Sequence, residues 1–220
     1  MNIVYNGEMD TRLFKNVLGQ TISELLSEDE NVVYLDADLM GCIGTAKLPK
    51  ETNRAINCGI AEANMVGIAC GMSAVGFKPI VHTFGPFASR RCYDQVFLSG
   101  GYAGNSITVI GTDPGVTATF NGGTHMPFED MGILRNVPYI TILEPVDSTM
   151  LKGILEGIVD PYGIFYIRLL RKKPVKVYES GSTFQIGKAI ELKGGKDVTI
   201  FATGLMVNEA LIAAETLSAE

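Results

Sequence analysis

Runs of consecutive apolar residues alternate along the chain with segments whose apolar positions recur every three or four residues. In TRLFKNVLGQTISELLSED, Leu13, Val17, Ile22, Leu25 and Leu26 fall at helical spacing, and the compact run NVVYLDADL that follows predicts a strand. The alternation continues with a helix from about Gly59 to Ala74, strand KPIVHTF, helix ASRRCYDQVFL, strand SITVIGT, helix PFEDMGILRNV, strand YITILEP, helix DSTMLKGILEGIV and strand GIFYIRL. Strands that are apolar throughout and separated by helices predict a parallel sheet covered on both faces. The expected fold class is therefore α/β, a doubly wound parallel sheet flanked by helices. Ligands of such sheets lie at the carboxyl ends of the strands, which here are DADLMGC, HTFGPF, GTDPGVTATFNGG and IRLL.

Residues 1–170 are expected to form this domain. After Arg168 the composition turns polar and rich in turn formers, so 171–195 reads as a linker. DVTIFATG and LMVNEALIAAETLSAE then predict one strand and one amphipathic helix, the incomplete beginning of a second α/β domain over 196–220. With 46% hydrophobic residues among 220, the chain can bury a full core. No apolar run is long enough for a membrane helix and no signal-peptide pattern follows Met1, so a cytoplasmic location is expected. Cys42, Cys58, Cys70 and Cys92 are widely spaced and read as reduced, mostly core thiols rather than a metal or disulfide set. A net charge of -6, with no basic tract beyond RLLRKKPVK, argues against a nucleic-acid partner; that tract itself reads as a solvated linker.

One acid stands out. Glu62 heads the segment GIAEANMVGIACGMSAVG, where Ile60, Ala61, Ala63, Met65, Val66 and Ile68 surround it. An acid in the first turn of a helix is favoured by the macrodipole and needs no other purpose. A carboxyl with so little water around it also holds its proton more firmly, which suits it to serve a buried heterocycle.

The stretch GIAEANMVGIACGMSAVGFKPIVHTFGPFASRRCYDQV, followed by ITVIGT, GGTHMPFEDMGILRNVPYITILEPVDS and YIRLLRKKPV, resembles the pyrimidine-binding domain of transketolases over residues 10–220, with the C-terminal subunit of split bacterial transketolases as the nearest pattern. The resemblance implies a subunit that transfers a two-carbon ketol unit between sugar phosphates with thiamine diphosphate as cofactor. Glu62 then matches the glutamate that hydrogen-bonds the pyrimidine ring nitrogen and activates the cofactor. Phe87 matches the phenylalanine stacked on the aminopyrimidine, Phe84 lines the same pocket, and Asp38 matches an aspartate near the thiazolium. On the substrate side His125 matches a histidine that contacts ketose hydroxyls, and Arg12 and Arg168 match phosphate-binding arginines, whose paired donors suit a sugar phosphate. Read without the resemblance, these are ordinary strand-end phenylalanines, a turn acid, a histidine beside a helix start and surface arginines.

Several positions depart from the family pattern. Asp113 in GTDPG stands where a histidine is usual, Asn121 where an acid is usual, Met126 where a glutamine is usual and Cys42 where a serine is usual. All four lie on the substrate side, so an unusual ketose or acceptor is expected. The GDG motif that holds the diphosphate and its magnesium or calcium ion in this family does not occur in the chain. The resemblance therefore implies an N-terminal partner subunit that supplies the metal site, the cofactor being shared between the two. It also implies a homodimer through the pyrimidine-binding domains. Alternatives are a deoxyxylulose-phosphate synthase-like subunit, suggested by Arg91 in RRCYDQV, a dehydrogenase beta-type subunit, or a scaffolding paralogue that has lost the chemistry. A Rossmann reading lacks its glycine fingerprint after the first strand.

Overall fold

The computed structural model describes residues 2–218. Six parallel strands, β1 (Val32–Asp36), β2 (Ala55–Asn57), β3 (Lys78–Phe84), β4 (Ile107–Thr112), β5 (Ile140–Leu143) and β6 (Ile164–Leu169), form one sheet in the order β2-β1-β3-β4-β6-β5. The helices are α1 (Phe14–Glu28), the single turns α2 (Met40–Ile43) and α3 (Leu48–Glu51), α4 (Glu62–Ala74), the single turn α5 (Gly85–Ala88), α6 (Asp130–Leu134), α7 (Ser148–Ile158) and α8 (Met206–Leu217).

Successive residues of a strand point to opposite faces, and both faces are used here. Val32, Tyr34, Ile80, Ile110 and Ile167 pack beneath α1 and α7 with Leu18, Ile22, Leu151 and Leu155. Val33, Leu35, Val81, Val109 and Tyr166 face the other way, against Met65, Val66 and Ala69 of α4 and Val96. The doubly wound parallel sheet predicted from the apolar runs is thus the observed one. Among the described residues no helix is long and apolar enough to cross a membrane.

Besides the unpredicted single turns α2 and α3, four elements differ from the sequence expectation. β2 was not predicted: three residues carry no periodicity, and Ala55–Asn57 becomes a strand only through its register on Tyr34–Asp36. The helix expected over ASRRCYDQVFL forms later, as a π-helix at Gln95–Tyr102, where Gly100 and Gly101 let it close on Ile164 and Val137. The helix expected over PFEDMGILRNV shrinks to Asp130–Leu134. DVTIFATG forms no strand: no neighbouring strand receives it, and Val198 and Phe201 are exposed. α8 follows as predicted, with residues 219 and 220 outside the described ones.

The polar stretch after β6 is less free than a linker. Val177 and Tyr178 are buried beside Val146 and Val207, and Ile3 and Met9 bridge Tyr178 and Val175 in antiparallel fashion.

The sheet order fixes where a ligand can sit. β2 and β3 lie on opposite sides of β1, so the chain reverses its winding there and opens a crevice outside the carboxyl ends of β1 and β3. α4, which carries the chain from β2 to β3, starts with Glu62 at that end.

Candidate functional site

Glu62 is the first residue of α4 and only 3% exposed. Its surroundings are less apolar than its helix suggests. Thr83, the penultimate residue of β3, donates its hydroxyl to Glu62 Oε1 at 3.4 Å, and Arg91 Nη1 donates to the same oxygen at 2.8 Å. The Arg91 guanidinium carbon also lies 3.6 Å from the centroid of the Phe87 ring.

β3 ends at Phe84 and passes at once into the single turn α5, which brings Phe87 back beside it with ring centroids 6.1 Å apart. His125 stands edge-on to both rings, at 5.5 Å from Phe84 and 5.2 Å from Phe87. That approach depends on Gly85: a Cβ there would lie 2.6 Å from Pro127 Cγ, in the same loop as His125. The loop is tied down by Arg90, which bonds Glu129 at 2.7 Å and the Thr124 carbonyl at 3.3 Å. Cys92 fixes α5 from below, its thiol donating to the carbonyls of Phe87 and Ala88. Burial, and next the charge of Glu62, push that thiol up to about 12, so it stays protonated and serves as packing.

On the other side of Phe84, Arg171 completes the array. Its guanidinium carbon is 4.9 Å from the Phe84 centroid, and it grips Asp113 with two hydrogen bonds, the Nε one at 2.9 Å. Its pKa is raised chiefly by that bond to Asp113. Asp113 follows β4 directly and takes a left-handed conformation, φ 62°, which aspartate tolerates better than most residues. Glu62, Arg91, Phe87, His125, Phe84, Arg171 and Asp113 therefore form one continuous cluster across the ends of β3 and β4.

Behind the cluster lies a buried polar network. His82 Nδ1 is 2.6 Å from Asp36 Oδ2, Tyr34 donates to the same oxygen at 2.8 Å, and His82 Nε2 meets the Thr112 hydroxyl at 3.3 Å. Asp36 also accepts the Leu39 backbone N–H, which folds the chain sharply after β1. Asp38 sits in that turn at φ 64°, exposed, and exchanges hydrogen bonds with the Asn57 side chain.

Other expected site residues are placed apart from the cluster. Arg12 bonds the Thr149 hydroxyl at 3.2 Å and lies 3.7 Å from Asp10, at the start of α7. Asn121 is exposed in a short 3-10 turn beside Phe120. Arg168 departs furthest from expectation. It is 17% exposed and pairs at 2.8 Å with both Asp130 and Glu144. Burial works against its charge, but Glu144 and then Asp130 outweigh that and hold its pKa above the usual arginine value. An anion at Arg168 would have to compete with Asp130 and Glu144 for its guanidinium group.

Arg91 and Arg171 are the cluster members whose contacts the sequence did not disclose. The doublet RR before CYDQV marked Arg91 only as a family feature, and Arg171 was hidden in a basic tract that reads as a solvated linker.

An all-parallel doubly wound sheet with its polar and aromatic cluster at the strand ends is an α/β ligand-binding domain. Residues 10–174 match the model of the transketolase pyrimidine-binding domain, and the chain belongs to that family. It is 44% identical, over its whole length and 69% of the relative, to the 6-deoxy-6-sulfo-D-fructose transketolase subunit of a Clostridium species. It is 37% identical, over 90% of the chain and 64% of the relative, to the putative transketolase C-terminal section of Methanocaldococcus jannaschii. Among solved structures, a split-gene transketolase described as an inactive beta4 tetramer superposes with a TM-score of 0.84 at 33% identity, covering 94% of this chain and 67% of that one. The chain is a transketolase-type enzyme subunit of the C-terminal kind, and it spans about two thirds of these relatives.

The cluster suits the cofactor that this family uses. Arg91, a flat polar group, already hydrogen-bonds Glu62 and lies on Phe87, the two contacts expected of an aminopyrimidine.

Proposed function

We propose that this chain, with an N-terminal-type subunit, transfers a two-carbon ketol unit from a ketose to an aldose in the cytoplasm. The observation that carries the reading is a buried carboxylate, Glu62, beside a wall of Phe84, Phe87 and His125 at the carboxyl end of β3, one of the two strands that border the crevice. Thiamine diphosphate, when bound, supplies the electron sink for breaking the ketose carbon–carbon bond. Glu62 holds the pyrimidine nitrogen, and Phe87 and Phe84 keep water from the ring. His125 presents an imidazole at the open side, where it can exchange a proton with a ketose hydroxyl. Asp38 adds negative charge near the thiazolium. The partner subunit holds the diphosphate with magnesium or calcium, and the domain pairs with a second copy of itself.

The donor follows from charge. Arg12, Arg168 and Arg171 each already face a carboxylate, so this end of the sheet offers little free positive charge. A dianionic phosphate gains less there than a singly charged sulfonate does. With the substitutions Asp113, Asn121 and Met126, and with a relative named for 6-deoxy-6-sulfo-D-fructose, this favours a ketose bearing a terminal sulfonate.

Glu62→Gln keeps the shape but cannot share a proton with the ring nitrogen. The reconstituted enzyme should lose about 10²-fold or more of its ketol-transfer rate with its melting profile near the parent's. Activity within about tenfold of the parent would sink the assignment. A donor panel of 6-deoxy-6-sulfofructose, fructose 6-phosphate and xylulose 5-phosphate tests the second reading, and clear preference for xylulose 5-phosphate overturns it.

A further inference from the structure

We propose that Arg91 is a displaceable plug of the pyrimidine site, holding Glu62 and Phe87 in the cofactor-free subunit and swinging out when the aminopyrimidine enters. The proposal rests on the reading above, in which Glu62 and Phe87 receive the cofactor ring.

The geometry is one of double occupancy. At 3.6 Å from the Phe87 centroid, the guanidinium carbon is at van der Waals contact with the ring, so no flat group can be inserted on that face. The same guanidinium takes up Glu62 Oε1 at 2.8 Å. One side chain thus takes one oxygen of Glu62 and one face of Phe87, the two residues that would receive an aminopyrimidine.

The energetics explain why such a plug exists and why it can move. A carboxylate buried as deeply as Glu62 is unfavourable without a cation or donor beside it. Thr83 supplies one long hydrogen bond, which is not enough alone. Arg91 supplies the charge and a cation–π contact. Yet Arg91 is itself 43% exposed and grows from the irregular turn between α5 and the π-helix. Its head can therefore rehydrate as it leaves, and the cost of its departure falls on Glu62, which the entering ring then hydrogen-bonds. The buried partner is fixed while the exposed partner is free to leave.

A site closed by its own side chain lowers the apparent cofactor affinity by the fraction of molecules that are open. If roughly nine molecules in ten are closed, removing the plug tightens binding about tenfold. The test is calorimetric titration of thiamine diphosphate with magnesium into the subunit reconstituted with its N-terminal-type partner. Parent, Arg91→Ala and Arg91→Met are compared, methionine keeping the bulk of the stem without the charge. Both variants should bind several-fold to tenfold tighter. Without cofactor they should melt lower than the parent, and cofactor should raise their melting temperature by more than it raises the parent's. Unchanged or weaker binding in both variants overturns the plug, because a residue that merely positions Glu62 weakens binding when lost. Failure of the underlying reading looks different: Glu62→Gln and Phe87→Ala would then bind the cofactor as the parent does, whatever Arg91 is.

Discussion

Arg168 and Arg171 leave the end of β6 three positions apart and meet different fates, because neighbouring strand and loop positions face different groups. Arg168 neutralises Asp130, which is fully buried and whose other oxygen has no hydrogen-bond partner, while Tyr166 donates to the same Oδ2 at 3.0 Å. Arg168→Met removes the cation that pairs with this group among the described residues and should destabilise the chain by about 3–5 kcal/mol, the typical cost of leaving a buried charge unpaired. Denaturant midpoints check it. A stability loss under about 1 kcal/mol with a tenfold higher KM would mean instead that Arg168 leaves its carboxylates to bind substrate. The sequence disclosed Glu62, Phe84, Phe87 and His125 because each stands in a local motif whose residues stay together in space. It could not disclose Arg91 on Glu62 or His82 on Asp36, since those contacts depend on how far a long side chain reaches across a turn and on the β1–β3 register.

At the level of elements, the segment after β6 is held by one carboxylate. Asp147 caps α7 by accepting Met150 N–H at 2.8 Å, and also accepts Val177 N–H at 2.9 Å and Tyr178 N–H at 2.6 Å. Asp147→Ala forfeits the cap, worth about 1 kcal/mol, and leaves two buried donors unpaired at about 1–3 kcal/mol each. A loss of at least about 3 kcal/mol is expected, with protease cuts appearing first around residues 171–182. Intact protection of that stretch would show that the apolar contacts of Val177 and Tyr178 hold it without the carboxylate. The sequence placed Asp147 inside the helix DSTMLKGILEGIV with no cap assigned, and its second duty lies beyond any local pattern, because 30 residues separate Asp147 from Val177. The strand expected over DVTIFATG failed for a related reason. An apolar run specifies a willingness to pair, and only a neighbouring sheet edge makes it a strand.

At the scale of the whole molecule, the two guanidinium groups of the cluster at the ends of β3 and β4, Arg91 and Arg171, are each already paired with a carboxylate. The net charge is -6, and among the described residues no three His, Cys, Asp or Glu side chains converge as metal ligands. A bound diphosphate would therefore meet a chain of net negative charge without a metal to offset its own, while stacking on Phe87 contributes only about 1 kcal/mol beyond area burial. The chain alone is thus expected to fold but to bind thiamine diphosphate weakly and turn over no sugar. It should also self-associate, because Ile60, at the head of α4, and Leu98 and Tyr102 of the π-helix leave large apolar surface exposed. Sedimentation of the purified chain and calorimetry with magnesium and thiamine diphosphate test both halves. A strictly monomeric chain would remove the pairing of two copies from the proposed assembly. Micromolar binding or measurable turnover by the chain alone would mean that it carries a metal–diphosphate site of its own, and the division of the active site between two subunits would be wrong.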